Sequence, residues 1–190
     1  LVQANYSFLN EDLARHYGIR GVYGPHFRRV TLPGEVRRGL LGQASLLTVT
    51  SYANRTSPVR RGVWLLENFV GARAPIPPAN VPALEDEGAD GKPSSVRDRL
   101  EKHRKNPVCV SCHRVIDPLG FALENFDPTG RWRTENEPRS PFQKVRVTID
   151  TTGTLPDGSK LDGPAALREL FVRRKDEFVS VVAEKMLTYA

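Results

Sequence analysis

Cys109-Val110-Ser111-Cys112-His113 is the stretch on which the reading of this chain turns, because it holds both of its cysteines. Two cysteines are too few for a disulfide scaffold, so the pair signals local chemistry. C-x-x-C-H is the pattern of covalent c-type haem attachment. Thiols three residues apart on one turn of chain reach the two vinyl-derived positions on one haem edge, and the histidine directly after them falls beneath the iron. Tethering holds the cofactor even where much of it is exposed, while the axial imidazole sets its starting electronics. The expectation is one covalent haem c, with Cys109 and Cys112 as thioether sulfurs and His113 as proximal iron ligand. Three other readings compete. A zinc site can be assembled on paper from His103, Cys109, Cys112 and His113, but adjacent Cys112 and His113 would have to converge on one tetrahedral ion. A thioredoxin-like pair wants a βαβ setting, which the surrounding pattern lacks. Inert thiols are the third.

Upstream of the motif, Ser95 and Asp98 stand at capping-box spacing, and Val96, Leu100 and His103 share one face of a helix that Asn106-Pro107 closes. Downstream, Asp117-Pro118-Leu119-Gly120 and Asp127-Pro128-Thr129-Gly130 read as turns, making the stretch 117–133 turn-rich. Val145 to Ile149 alternates like a short strand, Pro156-Asp157-Gly158 is a turn, and helices are expected at about Pro164–Val172 and Asp176–Ala190.

Further out, Phe8, Leu9, Leu13 and Tyr17 sit at helical spacing within Asn5 to Tyr17, with Gly18 to end the helix. Gly21 to Gly34 reads as loop, and Glu35 to Ser51, ambiguous between helix and extended chain, is read as a weak helix. A clearer helix starts at Ser57-Pro58 and stops at Gly71, burying Val63, Trp64, Leu66, Phe69 and Val70. The Pro-rich run from Ala74 to Pro82 and the acidic run from Glu85 to Pro93 form the best internal boundary. Residues 1–93 are thus read as a helical N-terminal region and 94–190 as the haem-binding module. They make up one domain or two small units sharing a core. The fold class expected is mainly α: a cytochrome c-like helical module with a helical extension, a Pro-rich linker and a short β segment.

The sixth iron position has few candidates: His16, His26, His103 and the single methionine, Met186. His103 lies close to the motif, though a short tether must cross to the opposite haem face. Met186 shares a helical stripe with Phe178, Val182 and Tyr189, so core packing is its default. An open position is equally allowed. Arg131 and Arg133 are candidate partners for haem propionates, and Trp132 and Phe126 for porphyrin packing, with plain surface arginines as the competing reading. A carbonyl between Asp117 and Gly120 is a candidate acceptor for the His113 ring N–H.

The net charge is +6, but the basic residues are scattered among 22 acidic ones and are not interleaved with stacking aromatics. This argues against nucleic acid and for a solvated basic face that steers an acidic partner protein. No apolar run reaches the ~18 residues of a membrane span. Asn54-Arg55-Thr56 matches a glycosylation triplet and the Asp-Gly pairs lack a calcium-loop sequence; neither is given weight.

The sequence resembles the planctomycete-type cytochrome c domain proteins. The resemblance rests on Asn5 to Asn10, Leu13 to Gly18, Arg55 to Val59, Arg61 to Trp64, Pro75 to Pro78 and His103-Arg104. It continues through the haem motif, Ile116 to Asp127, Gly130 to Arg133 and Leu187 to Ala190. It implies an exported haem protein, periplasmic or extracellular, belonging to a longer chain whose other domains are among its partners. Both ends look cut off, as that predicts. The resemblance places leucine where this chain has Met186, which favours His16 or His103 as the sixth ligand. Electron transfer to a redox partner is the leading expectation. A catalytic haem with an open sixth position and a haem-stabilised assembly module, self-associating, are the alternatives.

Overall fold

The computed structural model describes residues 1–74, 76, 95–136 and 146–188. Within them the fold is mainly α, with two small two-stranded sheets. No helix among the described residues is long and apolar enough to cross a membrane.

The chain begins with a strand where a helix was expected. β1 (Tyr6–Leu9) pairs antiparallel with β2 (Arg28–Thr31), Tyr6 opposite Thr31. Ser7 and Leu9 are buried while Tyr6 and Phe8 face out. That two-residue period was hidden inside an apparent helical stripe. α1 (Glu11–Tyr17) starts only at Asn10, whose side chain accepts from the Leu13 N–H at 3.0 Å, and ends on Gly18 at φ 71°. The region from Glu35 to Ser51 resolves into a 3₁₀ turn (Leu40–Gly42) and α2 (Ala44–Val49).

α3 (Pro58–Leu65) follows its sequence signals. Ser57 accepts from the Arg60 N–H at 3.2 Å, Pro58 opens the first turn, and the chain continues as one π turn over Leu66–Val70 to Gly71. The Pro-rich and acidic runs lie outside the described residues except for Ala74 and Ile76. α4 (Val96–His103) carries the expected capping box of Ser95 and Asp98. α5 (Pro107–Phe121) is capped by Asn106, which accepts from the Val108 N–H at 3.0 Å.

α5 corrects the turn expected at Asp117–Gly120, because it runs straight through Pro118. Pro118 cannot donate to the Arg114 carbonyl, so one rung of the ladder is lost. Burial compensates: Ile116, Leu119, Phe121, Ala122 and Leu123 all enter the core. At about 1.5–3 kcal/mol for each large apolar side chain, that outweighs a local turn preference. α3 and α5 cross closely. A Cβ on Gly62 would run into the Ile116 carbonyl oxygen, and one on Gly120 into the Pro58 carbonyl oxygen.

The strand expected at Val145–Ile149 is displaced. Its described part, 146–149, contributes only an isolated bridge from Thr148 to Glu135. The second sheet instead pairs β3 (Thr152–Thr154) with β4 (Lys160–Asp162) across the Pro156-Asp157-Gly158 turn. α6 (Gly163–Arg173) and α7 (Lys175–Thr188) match the two expected helices, the last two residues of the second expectation, 189–190, lying outside the described residues.

One core cluster draws on both sides of the linker. It joins Leu65 and Phe69 to Leu119, Leu123, Phe126, Phe171 and Phe178, and the Phe69 ring centroid lies 4.8 Å from that of Phe171 and 5.0 Å from that of Phe178. A smaller cluster gathers Leu9, Ala14, Val22 and Leu32.

Candidate cofactor-attachment site

All five motif residues lie on α5, beginning one turn after its cap. Cys109, Cys112 and His113 are related by i, i+3 and i+4, so they share one helix face. Both thiols are free and half-buried, and Cys112 leans on the main core. The Ser111 hydroxyl donates to the Val108 carbonyl at 2.8 Å and lies 3.7 Å from Cys112 Sγ. Val108 and Val110 beside them are exposed, Val108 by 58%.

The ring of His113 is held by a carboxylate one turn further on. Its Nδ1 lies 2.9 Å from Asp117 Oδ1, and Asp117 is wholly buried. A carboxylate acceptor places the proton on Nδ1, which leaves Nε2 with its lone pair and no hydrogen-bond partner among the described residues. The other carboxylate oxygen, Oδ2, makes no hydrogen bond and sits 3.6 Å from Arg104 Nε. The acceptor for His113 is thus the Asp117 side chain, not a backbone carbonyl of the 117–120 segment. The clue was i, i+4 spacing, masked by the expectation that Pro118 breaks the helix.

Of the candidates for the opposite iron position, His103 is the one brought to the motif. Its ring meets that of His113 edge-on, centroids 5.1 Å apart. Burial pushes the His103 pKa down, with His113 adding to that and Asp117 opposing it. His16 is engaged elsewhere. Its Nε2 faces the Thr129 carbonyl at 2.7 Å and its Nδ1 accepts from Arg131 Nε at 3.3 Å, so both nitrogens are committed. Met186 is 69% exposed near the end of α7, which corrects the expectation that it packs in the core. His26 lies in the loop before β2, where its backbone carbonyl accepts from Arg28.

The residues proposed to surround a porphyrin have other partners. Phe126 is fully buried in the core, with Trp132 edge-on to it at 5.2 Å and the Arg37 guanidinium 5.5 Å from its ring. Arg131 donates its backbone N–H to Asp127 Oδ1 at 2.8 Å and its side-chain Nε–H to His16 Nδ1 at 3.3 Å. Arg133 donates to Glu124 Oε1 at 2.9 Å and to the Thr56 hydroxyl at 3.1 Å. That hydroxyl donates in turn to Glu124.

Arg61 was not singled out by sequence reasoning, yet it organises this region. It is entirely buried and donates to the Leu123, Phe126 and Asp127 carbonyls and the Ser51 hydroxyl at 2.8–3.0 Å. Burial lowers its pKa to about 10 against the opposing pull of Glu124. Burial likewise pushes the Glu124 carboxyl up, opposed by Arg61, Arg133 and Thr56. No local signal marks an arginine three of whose carbonyl acceptors lie more than sixty residues away.

Among the described residues, no three His, Cys, Asp or Glu side chains are gathered to hold a metal ion by themselves. The four residues of the zinc reading are therefore not assembled as a zinc site. α5 also borders an open cavity of about 600 Å³ whose lining includes Arg97, Arg104, Arg114, Lys160, Asp162 and Pro118.

A mainly α chain with this motif on a core helix belongs to a planctomycete-cytochrome-like family of unknown function. The family model, described as PSCyt3: Protein of unknown function (DUF1588), matches residues 37–136, from the loop before α2 past Trp132. No curated protein and no solved structure matches the chain.

Proposed function

We propose that the chain is a c-type cytochrome module that carries one haem on Cys109 and Cys112 and passes single electrons to a partner protein. The observation that carries this reading is the pairing of two free thiols with a histidine whose Nδ1 is already engaged, all on one helix face. Such a face suits a group that is bonded twice at one edge and ligated once at its centre. The family name supports the reading. When bound, haem supplies an iron that cycles between ferric and ferrous states.

The protein's own residues do the rest. Cys109 and Cys112 fix the cofactor edge, His113 offers Nε2, and Asp117 holds that imidazole in one tautomer. The half-exposed thiols and exposed Val108 set the attachment face at the surface, where a partner can approach. The net charge of +6 and the basic cavity beside α5 favour an acidic partner. Working outside the cytoplasm, as the resemblance implies, belongs to the same proposal.

The test is the mass and spectrum of full-length protein made in a host able to attach haem c. One haem per chain, lost in C109A/C112A, is expected, with a reversible one-electron transition and a spectrum insensitive to cyanide and carbon monoxide. A bare polypeptide mass overturns haem attachment. Rapid ligand binding overturns simple electron transfer in favour of small-molecule chemistry at the iron.

A further inference from the structure

We infer that Asp117 is a positioning residue that strengthens electron donation by His113 and so favours the oxidised state of the bound iron. The inference rests on the haem reading above and deepens it.

Asp117 lies one helical turn beyond His113, wholly buried, with Oδ1 2.9 Å from Nδ1. A backbone carbonyl at that place would fix the tautomer equally well. A carboxylate does more, because its negative charge polarises the Nδ1–H bond and enriches the whole ring, Nε2 included. A more basic ligand stabilises the higher oxidation state of the metal it binds.

The second carboxylate oxygen determines how strongly this acts. Oδ2 is buried and accepts no hydrogen bond, so little of the charge is drawn away from the Oδ1–Nδ1 contact. The nearest cation is Arg104, with Nε 3.6 Å from Oδ2, and Arg104 also lies 3.7 Å from Glu101. Arg104 is thus a partial counter-charge, placed to moderate the donation without cancelling it. His103, the other group against the His113 ring, meets it edge-on and supplies no negative charge. A simple helix-stabilising pair would call for neither full burial nor an oxygen left unbonded.

The two roles separate by charge at constant shape. Asp117→Asn keeps an oxygen acceptor for Nδ1–H but removes the charge. Arg104→Gln removes the moderating cation and leaves the carboxylate. In the haem-loaded full-length protein, D117N should raise the ferrous-to-ferric ratio at a fixed applied potential at least tenfold, which is 59 mV for one electron. R104Q should shift it the opposite way. The paramagnetically shifted ring-proton resonances of His113 in the oxidised protein should move in D117N, which a merely structural role would not predict with haem still attached. Haem attached at normal stoichiometry with an unchanged potential and unmoved His113 ring-proton resonances in D117N would overturn the inference alone, as would a rise in potential in R104Q. A bare polypeptide mass for the unaltered chain would overturn both the haem reading and this one.

Discussion

Gly62 of α3 rests directly against the Ile116 carbonyl of α5, in the space a side chain would otherwise fill. A mid-helix glycine costs about 1 kcal/mol relative to alanine, so the sequence gives up helix propensity here for close approach. Gly62→Ala should regain that propensity yet lose more through overpacking, for a net destabilisation of about 1–3 kcal/mol in urea unfolding. Unchanged or raised stability would show that the helices do not cross as described.

Arg61 is a buried cation whose donors serve four backbone carbonyls and a serine hydroxyl. Arg61→Met removes those donors and leaves Glu124 with less compensation, at a cost of about 3–5 kcal/mol. Arg61→Lys retains charge but not the planar fork, and should rescue only part of the loss. Thermal unfolding of the three proteins measures the order.

Asn106 fastens the start of the motif helix through its bond to the Val108 N–H. Asn106→Ala should cost about 1 kcal/mol, whereas Asn106→Asp should be near neutral because it also caps and suits the positive helix end. Denaturant midpoints distinguish these outcomes.

Asp157 in the β3–β4 turn has its carboxyl held below the ordinary value of 3.8 by the backbone N–H and hydroxyl of Ser159, with Arg174 adding to the shift. A depressed carboxyl pKa contributes stability that is complete above the unfolded value and is lost as pH falls through the folded one. The unaltered protein should therefore lose its advantage over D157N as pH drops below about 4. Paired unfolding curves between pH 3 and about 6 test this; a constant difference between the two proteins would refute it.

What could be read from sequence was what depends on near neighbours. Ser57-Pro58, Ser95 with Asp98, and Gly71 announce helix ends because capping is a three-residue affair. The C-x-x-C-H motif is equally compact. What escaped notice depends on distant partners. β1 is a strand because β2, some twenty residues away, completes its ladder. Asp117-Pro118 is helical because the core claims Ile116 and Leu119. His16 looked available until Thr129 and Arg131 came to meet it across more than a hundred residues.

The small cluster of Leu9, Ala14, Val22 and Leu32 has its own consequence. Several of its ties to the larger core are polar: the Ala44 N–H donates to the Tyr17 hydroxyl at 2.9 Å, and the Arg37 guanidinium lies 3.9 Å from the Tyr17 ring centre. Detaching it would wet few apolar side chains and leave the α3–α5 crossing intact. Amide protons of the β1–β2 ladder should then trade with solvent through a shallow partial opening, while those of α5 wait for global unfolding. Two tiers of exchange are the expected result, with the cysteine-bearing helix in the slower one.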